Sequence, residues 1–126
     1  MTIDKVLDNV RRNKGGYDVD EETLLSYIST VESMILTEIV CGREGDSAFI
    51  EEHGDGLDPE TDRSRALFAP APYDNIYAQY CATQIDLLSE DGDRYINDVA
   101  VFRDTFLDLK RFWWRGHRQK NRHRFF

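Results

Sequence analysis

Cysteine, proline and long apolar runs are all scarce in this chain, which has two cysteines and three prolines in 126 residues. Cys41 and Cys81 each sit in an apolar helical pattern, so they read as small buried hydrophobes in a reducing compartment, not as a disulfide framework. No stretch approaches the roughly 20 apolar residues of a membrane span. The opening MTIDKVLDNVRRNK holds no secretory apolar core. The expected place of synthesis and residence is therefore the cytosol. The chain also lacks a Gly-rich phosphate loop, a Gly-x-Ser-x-Gly elbow and a His-Glu-x-x-His pair, so nucleotide, acyl-transfer and zinc-protease chemistry have no usual carrier. His53 lies among acids, while His117 and His123 lie among cations that oppose a divalent metal. The acids Asp55, Asp58 and Asp62 lack the ordered ligand spacing of a calcium loop. No catalytic, cofactor or metal site is expected, and the protein is not expected to be an enzyme.

What is present is enough for one packed domain. Hydrophobic residues make up 40%, aromatics 12% and charged residues 32%, a balance that excludes global disorder. The expected fold is all-α, a small bundle of about four helices. Thr2 caps a first helix carrying Ile3, Val6, Leu7 and Val10 on one face. Asp20 caps a second, with Leu24, Ile28, Val31, Ile35 and Ile39 in one stripe down to Gly42. A third begins near Asp74, after the stiff Ala69-Pro70-Ala71-Pro72 segment, and carries Ile76, Tyr77, Tyr80, Cys81, Gln84, Leu87 and Leu88 to the turn at Asp91-Gly92-Asp93. The fourth has a heptad seam of Tyr95, Val99, Phe102, Phe106, Leu109 and Trp113, and the short turn before it makes the last two helices antiparallel.

Between the second and third helices periodicity disappears. Residues 42–62 hold four glycines, Pro59 and eight acids, and the one apolar run, Ala48, Phe49 and Ile50, breaks the polarity. They read as a long acidic loop or arm, spanning 43–65, with a short strand or hairpin at its apolar centre. An arm of this length in a small domain suits contact with a neighbour.

Charge is divided along the chain. From Lys110 onward there are seven basic residues and no acid, whereas residues 1–109 carry nine basic and 24 acidic residues, a balance of −15 within a net −8. An acidic body, 1–114, thus precedes a basic tail, 115–126, suited to phosphates or an acidic protein surface. Val101, Phe112 and Trp114 fall off the heptad seam and give the last helix more apolar surface than one internal contact uses. Aromatic residues beside arginines are what protein interfaces favour. Phe112, Trp113, Trp114, Arg115, Arg118, Lys120, Arg122, Arg124, Phe125 and Phe126 are accordingly the expected partner-binding residues. Two other classes compete: a nucleic-acid-binding regulator using the basic tail on phosphates, and a small enzyme with Asp86, Asp91 and Asp93 in a cleft. The second is disfavoured because those carboxylates fall at a helix end and turn, where they commonly act as caps.

The stretch APAPYDNIYAQYCATQIDLLSEDGDRYINDVAVF, Ala69 to Phe102, resembles the head-tail connector, or adaptor, proteins of tailed bacteriophages and Gram-positive prophages. The likeness is carried by the Pro-Ala-Pro-Tyr-Asp entry at Pro70–Asp74, Tyr77 and Tyr80, Ile85-Asp86, and Asp93-Arg94-Tyr95 with Asn97. Phe102, Phe106 and the Arg-aromatic-aromatic-x-Arg-x-His run from Arg111 to His117 continue it, as do Met1–Leu7 and Leu24–Ile39, covering roughly two thirds of the chain. The acidic segment 43–62 and the basic end after His117 depart from the pattern. The resemblance implies a structural subunit without cofactor that forms a twelve-fold ring under the portal. It implies binding to the portal protein and to neck, stopper or tail proteins, with transient DNA contact in the channel and no membrane. It also implies passage from the host cytoplasm to the virion neck.

Overall fold

The computed structural model describes residues 2–13, 19–53 and 66–118, and among them the fold is all-α with no strand. Helix α1 is Ile3–Asn13, α2 is Glu21–Ile35 with a π-helical continuation Leu36–Val40, and α3 is Asp46–His53. A 3₁₀ turn, Tyr73–Asn75, leads into α4, Ile76–Leu88, and α5 runs Gly92–Gly116. The expected helices are therefore present, and α3 is a fifth within the segment read as an arm. The run around Ala48 is helical, not a strand or hairpin. Arg115 and Gly116 complete α5, so that helix extends past the boundary expected at residue 114. Residues 54–65 of the acidic segment lie outside the described residues.

Local chemistry explains the ends. The Lys5 N–H reaches Thr2 Oγ1 at 3.4 Å, as the capping pattern requires. Asp91 rather than a plain turn residue starts α5, its carboxylate accepting from the Arg94 N–H at 3.2 Å and pairing with the Arg94 guanidinium at 3.4 Å. Asp20 occupies the α2 N-cap in extended conformation, but its side chain caps no N–H. The Ala-Pro-Ala-Pro segment closes a turn, with the Tyr73 N–H donating to Pro70 O at 2.8 Å, rather than staying extended. Past the end of α2, Gly42 and Gly45 take φ of +85° and +84°, where a Cβ would be strained.

The core forms where α1, α2 and α4 pack together, with Ile3, Val6, Ile28, Val31, Ile35, Ile39, Ile76 and Tyr77 excluded from solvent. Each large side chain so buried contributes about 1.5–3 kcal/mol. The 20-residue helical run Glu21–Val40 holds an 18-residue window of mean hydropathy 1.2, long and apolar enough by length and composition to cross a membrane, a test that the core helix of a bundle also passes. Its apolar stripe is the centre of the bundle. Cys81 is buried as expected, and burial pushes its thiol up to about 12. Cys41 is exposed, because it falls just past the end of the π-helical stretch instead of on the buried stripe.

A polar knot ties the α4 entry to α2. The Tyr77 hydroxyl donates to Glu32 Oε1 at 2.5 Å and accepts from the Ala69 N–H at 2.9 Å, and the Phe68 N–H donates to the same Glu32 oxygen at 3.3 Å. Burial, then the neighbouring carboxylate, raises the Tyr77 phenol far above its ordinary value, so the hydroxyl keeps its proton.

Two measurements check this interior. Tyr77→Phe removes a donor from a buried carboxylate and an acceptor from a buried N–H, and urea unfolding should show a loss of about 1–3 kcal/mol. A loss below about 0.5 kcal/mol would show the knot to be dispensable. A thiol reagent should modify Cys41 promptly and Cys81 only on unfolding. Because the folded Cys81 value is raised, its contribution is complete below the ordinary thiol range near pH 9 and disappears as pH climbs toward 12. Equal labelling of both cysteines in the folded chain would contradict the packing.

Candidate functional site

Helix α5 is the longest element, yet only Leu109 and Trp113 of its 25 residues are fully buried. Its heptad seam does face the bundle: Phe102 meets Tyr80 at 5.3 Å with the rings tilted, Tyr80 in turn meets Tyr27 at 6.2 Å, and Trp113 meets Phe68 at 5.1 Å. The seam is half-buried toward the α5 N-terminus and buried toward the C-terminus because α5 outreaches its neighbours. It rests on α4, the 3₁₀ turn and the π-helical end of α2.

The expected partner-binding residues divide into three groups. Trp113 is 8% exposed and belongs to the core, with the His117 ring stacked on it at 3.5 Å. Its place on the seam is the reason, and it is not available to a partner. Trp114 is 36% exposed but is already engaged: its indole N–H donates to Ile39 O at 2.8 Å, satisfying a carbonyl at the end of the π-helical stretch. The Arg43 guanidinium lies 3.9 Å and the Lys110 ammonium 4.5 Å from its ring centroid. Phe112, 42% exposed, touches Tyr73 at 5.3 Å and otherwise faces outward. Arg115 and Arg118 are exposed, while Lys120, Arg122, Arg124, Phe125 and Phe126 lie outside the described residues.

The start of the acidic segment and the start of the basic tail are fastened together. The Arg43 guanidinium donates to His117 O at 3.3 Å, and the Glu44 N–H donates to Arg118 O at 2.8 Å. His117 is itself oriented by its Nδ1–H, which donates to Trp113 O at 2.9 Å. Asp46, buried at the head of α3, accepts from the Gly42 N–H at 3.0 Å and so closes the intervening loop. Residues 117 and 118 are thus part of the folded body.

Further apolar surface lies where the sequence did not direct attention. Leu87 and Leu88 are about half exposed, at 50% and 52%, and Ile96 is 67% exposed. Both leucines were expected on the buried stripe of α4, but that stripe follows Cys81, Ile85 and Asp86, and the helix ends beyond the bundle. Ile96, Leu107 and Trp114 fall on one flank of the α5 seam, about three and two turns apart, and Val101 and Phe112 on the other. Off-seam position marks all five, so the heptad pattern already contained this signal.

At the α4–α5 turn, Asp86, Leu87, Glu90, Asp91, Gly92 and Tyr95 line a shallow hollow of about 160 Å³. Asp91 is the α5 cap, Asp86 is buried and Asp93 is exposed, so the three carboxylates do not converge in one environment. Among the described residues no group of three His, Cys, Asp or Glu side chains is placed to hold a metal. No protein-family model, curated protein or solved structure matches the chain.

Trp114→Phe keeps an aromatic ring beside the two cations but removes the donor to Ile39 O. It should cost about 1 kcal/mol and speed amide exchange across residues 42–46 while leaving α1 unchanged. Unchanged exchange in that loop would show that the indole does not hold it.

Proposed function

We propose that this protein is a structural assembly subunit of the phage head-tail connector kind, forming a ring under a portal and joining the head to stopper or tail. The observation that supports it is a long helix whose core seam is already filled and whose two flanks still present Ile96, Leu107, Val101 and Phe112 to solvent. Exposed apolar side chains that recur along a helix mark a contact face for another chain. The resemblance of Ala69–Phe102 to connector proteins supplies the partner class, and the division into acidic body and basic end suits a subunit that meets unlike surfaces. Residence in the host cytoplasm before assembly and in the virion neck afterwards belongs to the same proposal.

A DNA-binding regulator is the competing class, since Lys110, Arg111, Arg115 and Arg118 form a cationic end with exposed aromatic neighbours. The acidic body opposes general attraction to phosphates. The two classes separate on truncation. Removing residues 119–126 spares the Arg43–His117 and Glu44–Arg118 hydrogen bonds, so helicity by circular dichroism should be retained. Joining of portal-bearing heads to tails should be lost. Full joining by the truncated chain, or tight salt-dependent DNA binding by the isolated full chain, would overturn the proposal.

A further inference from the structure

The two ends of α5 are chemically opposite and both are partly apolar. Where α4 turns into α5 the exposed apolar side chains are Leu87 and Leu88, at the end of α4, and Ile96 of α5, with Glu90, Asp91 and Asp93 between them and Arg94 already paired to Asp91. At its last turns they are Phe112 and Trp114, on opposite flanks of the helix, with Arg111 and Arg115 on the outward face between them, Lys110 over the Trp114 ring and Arg118 just beyond the helix end. Acids near that second end among the described residues include Asp108, which pairs with Arg111 at 3.8 Å, Glu44, and Asp74 beside the Tyr73 that touches Phe112. A continuous helix holds the patches apart, with Ile96 and Trp114 separated by about 27 Å along the axis at 1.5 Å per residue.

We infer that the occupant of each patch is the other patch on a second copy of this chain: the leucine-isoleucine acidic end of one subunit seats on the phenylalanine-tryptophan basic end of the next. This rests on the proposed assembly role and names the surfaces through which subunits meet. Apolar residues on both sides supply burial, and the opposed charges set orientation and reject like-with-like pairing, since two basic ends or two acidic ends repel. When the two ends of one copy meet two different neighbours, the contact is heterologous. Each added subunit leaves one free end of each kind, and repetition closes into a ring when the rotation between neighbours divides a full turn. A two-fold pair also joins unlike ends when each acidic end lies on its partner's basic end, and it differs from the ring in stopping at two copies. Trp114 stays fixed by Ile39 O and Arg43, so the basic end is formed before contact.

The test uses two variants of the full chain, each blocked at one end. Leu88→Asp with Ile96→Asp disables the acidic end, and Phe112→Asp with Arg115→Glu disables the basic end. All four side chains are exposed, so both variants should fold, with thermal melts as the check. In sedimentation up to millimolar concentration, the unaltered chain should associate, less so as salt rises. Each variant alone should associate at least about tenfold more weakly. Mixed one to one, they should form a dimer of one copy each, twice the 14.7 kDa chain mass, because one good end remains on either partner. Association of either variant at unaltered strength, a mixture that stays at single-chain mass, or an unaltered chain that never associates would overturn the inference. Head-tail joining with a failed mixing experiment would reject this contact alone. A mixed dimer without joining would reject the functional proposal and keep the contact.

Discussion

The structure depends on how α5 is moored. A helix of 25 residues is held to a small bundle chiefly by Leu109 and Trp113, with the Trp114 indole fixed to the Ile39 carbonyl beside them. Burial of a tryptophan and a leucine is worth several kcal/mol, enough to seat the C-terminal half firmly. The N-terminal half, with no buried residue, rests on the bundle through half-buried side chains such as Phe102, which meets Tyr80 of α4. Exposure along α5 follows position off the seam, and in the N-terminal half the seam itself is only half-buried.

That mooring also organises charge. The stacked Trp113 and His117 rings bring residues 117–118 against Arg43 and Glu44, so the start of the acidic segment and the start of the basic end are joined. A cation over an aromatic face contributes roughly 0.5–1 kcal/mol at exposed sites, and the two around Trp114 are modest singly. Together with the indole hydrogen bond and the Asp46 carboxylate closing the Gly42 loop, they make a rigid corner. A preformed corner lowers the ordering cost when another chain binds there.

How much was legible in the sequence follows from which signals are local. The periods of α1, α2 and the α5 seam are dense enough to locate those helices and most of the core, and Thr2 announced the first helix start. Helix α3 was hidden because its one apolar group sits among acids and glycines, and its capping Asp46 acts through a loop four residues away. Cys41 was misplaced by one helical geometry change, since the π-helical stretch from Leu36 shifts the register of whatever follows. Aromatic surplus near the carboxyl end was visible, but its availability was not. Trp113 is interior and Trp114 is largely committed to Ile39, Arg43 and Lys110, facts that depend mostly on contacts distant in sequence, such as Trp113 with Phe68 and Trp114 with Ile39, 75 residues apart. Leu87 and Leu88 show the converse, where a continuing apolar pattern outruns the bundle that would bury it.

The central claim is that the spare surface of α5 exists to be covered by another protein chain, and tryptophan emission reads this directly. Trp113 is already shielded, so any change in accessibility to iodide on assembly reports Trp114 at the basic end. Quenching measured on the isolated chain and on the assembled form should fall on assembly, with the emission shifting to shorter wavelength. An assembly that forms while quenching and emission stay those of the single chain would contradict the account.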